Sequence, residues 1–384
     1  NPQSRRRRAA VAAFVVVTLI ISFGFASLTI DVGLLYNAKA DLQRTADAAA
    51  LAGASAYLTD AALAQEHAQV EQIVIERAIY IASQNPTLGT PTVLETSDVV
   101  AGYHDYDNPA GPLLIGGALN AVQATARRTA DSPGGSIPLL FAAIWSKSSG
   151  NVSATARAAF DDRFAGYNVP DGGGGLLPFA IHEAIYEDRM LNGTDNYSYD
   201  NAIANTPDGV PEVSLFPWKW NDTDGELVTG ADGAEGSGNF GTLNIGLDSL
   251  GASALGDQIL TGITAEQLET EIGTSQLTFV DENGDPQTYT VGGNPGLSVS
   301  ISDAVEAHLG EVISFFLHSG ATGQGAGATY EITGIRFARL MEVQLSGSTK
   351  VIVFQPVAYT DSNIIVQENA PSTNGQVGRI MLVQ

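Results

Sequence analysis

The chain has 384 residues, 44% of them hydrophobic, with 42 glycines and no cysteine. That excludes disulfides, thiolate metal sites and cysteine nucleophiles, and leaves packing of one or two sizeable cores as the source of stability. Forty-two Asp and Glu stand against 18 Lys and Arg, four of which are Arg5–Arg8, so the remainder is strongly acidic and unsuited to nucleic acid.

Ala9 to Ile30 is a run of 22 residues without a charge, between the arginine block and Asp31. As a helix it is about 33 Å long, enough to cross the hydrocarbon core of a bilayer. Arginines on the amino side and an aspartate on the other place the amino terminus in the cytoplasm and everything after Asp31 outside it. A cleavable signal peptide shares the basic flank, the apolar run and a small-residue site such as Gly24-Phe25-Ala26, but this run exceeds a usual signal core. A retained span is the expectation.

From Val32 to Ala54 the helical pattern continues as an alanine-rich stalk, with Leu35, Leu42, Ala49 and Ala56 recurring every seven residues. Ala46, Ala50 and Ala54 form one ladder of small residues, and Ala49 and Gly53 another. Such ladders let a second helix approach closely, whether from this protein's own domain or from another subunit. Asp31, Gly33, Leu42, Ala46, Ala49, Ala50 and Gly53 are therefore candidate assembly residues. At Asp31, a neighbouring subunit's arginine would set the register of a filament, because the chain's own arginine block lies too far along the helix to reach it.

A second helix is expected over 61–83, carrying Leu63, Val70, Ile73, Val74 and Ile81 and stopped by Asn85-Pro86. The period then becomes two: 121–129 and 152–160 alternate as strands, with a short apolar helix at 137–145 introduced by Pro133-Gly134-Gly135. The four glycines after Asp171 end this module. Beyond it the residues predict a hairpin of 277–280 and 288–291 around 281–285, an amphipathic helix over 303–317, and strands at 329–345, 350–360 and 378–383. The fold class is α+β: a transmembrane or filament-forming helix (1–58), a small helix-on-sheet module (59–170) and a β-rich acidic domain (171–384).

Several segments together carry a family likeness. They are the basic block, the apolar span, Thr29-Ile-Asp-Val-Gly33, Leu35-Tyr36, Ala38-Lys-Ala-Asp-Leu-Gln43, Ala46-Asp-Ala-Ala-Ala-Leu-Ala-Gly-Ala54 and the later Asn151-Val-Ser-Ala-Thr-Ala-Arg-Ala158. In this combination the chain resembles the TadE/TadG-like proteins of Flp (Tad) pilus assembly. The resemblance implies a structural, non-enzymatic protein of the bacterial cell envelope that helps build or anchor a thin adhesive pilus. Its partners would be the membrane and, through the amino-terminal helix, copies of itself or other pilus subunits, in the envelope or in an extracellular filament. The Asp-x-Ser-x-Ser metal run of a von Willebrand type A domain, found in some relatives, is missing, Asp248-Ser-Leu-Gly-Ala-Ser253 being out of register. The glycine cleavage site and following glutamate of a main shaft pilin are missing from residues 1–30 as well.

Catalytic motifs are thin. His182-Glu183-Ala-Ile-Tyr-Glu187 has Tyr186 where a zinc-protease helix needs its second histidine, and His308 and His318 have no motif partner. No cofactor is expected other than calcium: Asp222, Asp224 and Glu226 alternate around a turn glycine in Asn221-Asp-Thr-Asp-Gly-Glu226, a weak candidate site that a simple polar turn also explains. The aromatic group Phe216-Pro-Trp-Lys-Trp220 suits stacking on sugar rings or hydrophobic anchoring. It supports the alternative of a membrane-tethered exported protein that binds carbohydrate or surfaces.

Overall fold

The computed structural model describes residues 2–142, 146–198, 203–204, 206–215, 218–221, 226–229, 239–248, 251–323, 325–346 and 350–383. The architecture is α+β, a long amino-terminal helix followed by a β-rich region. The chain forms two compact units, one of residues 1–56, 71–159 and 381–384, the other of residues 57–70 and 160–380.

In the first unit one helix runs from Pro2 to Ala54, about 80 Å at 1.5 Å per residue. Alanine and leucine favour it throughout, and no proline interrupts it after Pro2. Its second half lies on an antiparallel sheet of Val99–Gly102, Ala121–Arg128 and Val152–Asp161, in register from Val99↔Ala124 and from Ala121↔Ala159 to Arg128↔Val152. Ala46, Ala49, Ala50 and Ala54 on the helix and Val122, Ala124 and Ala126 on the central strand are buried. Small side chains on both surfaces let helix and sheet approach closely, and Gly53 marks the tightest point: a Cβ there would stand 2.9 Å from Val122 Cγ1. On the other face of the central strand Arg127 pairs with Asp98 at 2.7 Å and Glu95 at 2.5 Å.

The helix expected over 61–83 is two pieces, Asp60–Leu63 and His67–Gln84. Gln65 takes a left-handed φ of 58° between them, and one such residue ends the continuous hydrogen-bond ladder. Val74, Ala78 and Ala82 form the buried stripe of the second piece. The apolar helix expected at 137–145 begins instead as an extended hairpin, with Ile137 paired to Gly150 and Pro138 to Ser149. Pro138 disfavours the helical conformation at the residue before it.

The second unit is built on a closed barrel of five strands. In spatial order they are Leu176–His182, Phe240–Leu243, Tyr289–Pro295, Ala328–Gln344 and Val312–Thr322, and the last returns to the first. Four contacts are antiparallel; the closing one is parallel, with His318 opposite His182. The 17-residue strand Ala328–Gln344 outruns the barrel and pairs beyond it with Val351–Pro356, which pairs with Val213–Ser214. Leu177, Phe179, Ile181, Phe315 and Leu317 pack in one core, and Leu176, Ala180, Phe316 and Tyr330 in the other. Both faces of the strands are thus covered.

The helix expected over 303–317 is the largest correction: it shrinks to Ser302–Glu306, and Val312–Thr322 is a barrel strand. Ile313 to His318 are all buried, and a strand covered on both faces has no polar alternation to betray its period. The expected hairpin survives only at its turn. Asp281 N–H donates to Asp285 O, and Gln287 N–H donates to Phe279 O at 2.8 Å. The flanking strands then part, Gln276–Thr278 joining Phe164–Asn168 and Tyr289–Pro295 joining the barrel.

Candidate functional site: the amino-terminal helix and its exit

The described apolar side chains of the first half of the long helix are exposed, Ser27 alone among the described side chains there being buried. Val11, Phe14–Val17, Leu19–Ile21, Phe23, Phe25, Leu28 and Ile30 carry no cover from the rest of the chain, Phe14 being 73% and Phe23 71% exposed. This segment meets the length and composition of a membrane span, with mean hydropathy 2.1 in its most apolar window. A helix apolar on every side has no stable position in water, so its partner is lipid or other helices.

Asp31, one residue past the apolar run, is 2% exposed. Its carboxylate accepts backbone N–H groups from three consecutive residues: Leu140 at 2.8 Å, Phe141 at 3.0 Å and Ala142 at 2.6 Å. Within the chain both carboxylate oxygens thus serve as acceptors, which compensates for burying the charge without the neighbouring subunit's arginine expected from the sequence. Four residues further along, Leu35 lies against the hairpin base, its Cδ2 2.9 Å from an ideal Cβ on Gly150. The hairpin therefore runs along the helix from Leu35 at its base to Asp31 at its tip.

All but one of the remaining candidate assembly residues face inward. Leu42, Ala46, Ala49, Ala50 and Gly53 are buried within the first unit, while Gly33, with nothing within 4 Å of an ideal Cβ, stands in open space. Of the candidate calcium ligands, Asp222 and Asp224 lie outside the described residues. Glu226 opens the strand Glu226–Thr229, which pairs antiparallel with Trp218–Asn221. Phe216 and Pro217 of the aromatic group also lie outside the described residues. Among the described residues no three His, Asp or Glu are grouped to hold a metal ion.

Sequence reasoning left His182 and His318 apart, and the structure brings them together inside the barrel. Their rings meet edge to face with centroids 5.1 Å apart, and Tyr330 lies 5.0 Å from His318. Tyr330 reaches across the interior to Gly241, where a Cβ would stand 2.1 Å from its hydroxyl. Desolvation, then the neighbouring His182, pushes the His318 pKa down to about 3. Glu183, the would-be catalytic base of the incomplete zinc motif, instead accepts a hydrogen bond from Thr333 at 2.7 Å.

The amino-terminal helix is thus long and apolar enough to cross a membrane in its exposed half and packs on a sheet in its second half. The comparison with known families agrees: the family model described as Putative Flp pilus-assembly TadE/G-like matches residues 9–56, which span the apolar run, Asp31 and the buried stalk. The chain therefore carries a TadE/G-like segment. No curated protein and no solved structure matches it.

Proposed function

We propose that this protein is a non-enzymatic component of Flp-type pilus assembly, anchored in the bacterial envelope by residues 9–30. The amino terminus lies in the cytoplasm, and the chain after Asp31 lies on the outer side of the membrane. The observation that carries the reading is the coincidence of the family match with a helix whose described apolar side chains are exposed up to Ile30 and which packs on its own domain from Asp31 onward. The arginine block supplies the orientation. The acidic outer units suit a hydrated, soluble surface.

Protease treatment of intact spheroplasts tests the orientation. Digestion of the second unit with retention of a short membrane-bound amino-terminal fragment is the expected result. Full protection of the second unit refutes it.

A further inference from the structure

We infer that the hairpin of residues 137–150 is a second membrane contact, its apolar tip lying in the lipid headgroup region beside the point where the helix leaves the bilayer. The inference rests on the proposed span and adds a surface that the span does not require. The described part of the tip reads Leu139-Leu-Phe-Ala142, and the sequence stays apolar through Trp145, residues 143–145 lying outside the described residues. Leu140 is 68% and Phe141 37% exposed, although neither has a polar neighbour in this run to make exposure to water favourable.

Three observations select lipid as the occupant. Asp31 fixes the height of the tip, because its carboxylate holds the backbone of Leu140, Phe141 and Ala142 one residue beyond the end of the apolar span. The Leu35–Gly150 contact fixes the direction, since the hairpin climbs the helix toward the span rather than away from it. Charge is the third: in a chain of net charge −24, no Asp or Glu occurs between Asp131 and Asp161, while Lys147 in the hairpin is exposed. A short apolar tip with a flanking cation is what a headgroup layer accepts, the apolar side chains entering the acyl boundary and the ammonium staying among the headgroups. Two attachment points separated across the surface also hold the helix at a set angle, which a lone span leaves to neighbouring helices.

The absence of cysteine lets single labels report depth. Phe23→Cys and Leu140→Cys in the full chain, each carrying an environment-sensitive fluorophore, are reconstituted in phosphatidylcholine–phosphatidylglycerol vesicles. The vesicles contain lipid spin-labelled either near the headgroup or near the chain end. Both labels should be shielded from aqueous iodide. The label at 23 should be quenched more by the deep spin label, and that at 140 roughly twofold more by the shallow one, as expected for a segment seated at the headgroup boundary. A label at 140 that iodide reaches, while 23 is quenched by lipid, overturns the hairpin contact and leaves the span standing. Shielding of 140 from both iodide and lipid means that protein covers the hairpin, and also overturns it. Failure of lipid to quench the label at 23 removes the span and the hairpin contact together.

Discussion

At the scale of single residues, Asp31 joins the two parts of the candidate site. Asparagine keeps one acceptor oxygen but turns an amide NH2 toward the N–H groups of the hairpin tip, so a donor meets donors. Asp31→Asn should leave membrane insertion intact and free the tip, read as faster hydrogen exchange at Leu140, Phe141 and Ala142 and a lowered melting temperature. Unchanged exchange at these amides would show that the carboxylate is not what holds them. Gly53 makes a contrasting prediction. With Val122 Cγ1 2.9 Å from an ideal Cβ and Val74 Cγ1 at 3.4 Å, Gly53→Leu overpacks the first unit's own core, at a cost of about 1–3 kcal/mol. Thermal melts of the purified variant should show that loss before any partner is added; a wild-type melt with lost assembly would return Gly53 to a subunit interface.

At the scale of elements, the amino-terminal helix divides at Asp31 into an exposed half and a packed half, and substitutions should divide in the same way. Leu19→Arg places a charge in the middle of the apolar run, where insertion costs about 2.5–3.5 kcal/mol. Fractionation should find that variant shifted from the membrane to the soluble or degraded pool. In the barrel strand Val312–Thr322, Phe315 is fully buried between Tyr186 and Phe354. Phe315→Ala should lower the unfolding free energy by about 3–5 kcal/mol, measured by denaturant titration, without altering membrane attachment. A similar cost at Glu311, which is exposed just before the strand, would contradict the assignment of Phe315 to the core it shares with Tyr186 and Phe354.

At the scale of the whole molecule, stability should depend on pH through two buried groups of opposite sign. His318 is held near 3 against an ordinary 6.5, so the unfolded chain binds its proton more readily. The stabilisation from keeping His318 neutral is complete above about 6.5 and is lost as pH falls toward 3. Glu212 goes the other way: desolvation raises it to about 7 from 4.5, more than its backbone hydrogen bonds from Asn196 and Tyr197 lower it. Its contribution is complete below 4.5 and declines as pH rises through 7. Melting temperatures across this range should fall less on the acid side in His318→Gln and less on the neutral side in Glu212→Gln. Parallel curves for wild type and both variants would show that other groups control the profile.

The longest periodic segments were legible in the sequence. The apolar span, the alanine-rich stalk, the alternating strands at 121–129 and 152–160 and the long strand near 329–345 follow from the spacing of apolar residues, and the motif run from Thr29 to Ala54 pointed to the family that matches it. What only the tertiary structure decided was the partner of each surface. The ladder of small residues in the stalk suits a second subunit or the protein's own sheet equally well, because both need close approach; burial of Ala46, Ala49 and Ala50 on the strand Ala121–Arg128 settles where they pack in the folded chain. Val312–Thr322 reads as a helix because a strand covered on both faces loses its alternation, and only closure of the barrel makes it extended. Asp31 meets Leu140, Phe141 and Ala142, and His182 meets His318, across separations in the chain that no local pattern encodes: such contacts depend on the packing of whole elements, which brings distant residues to one point.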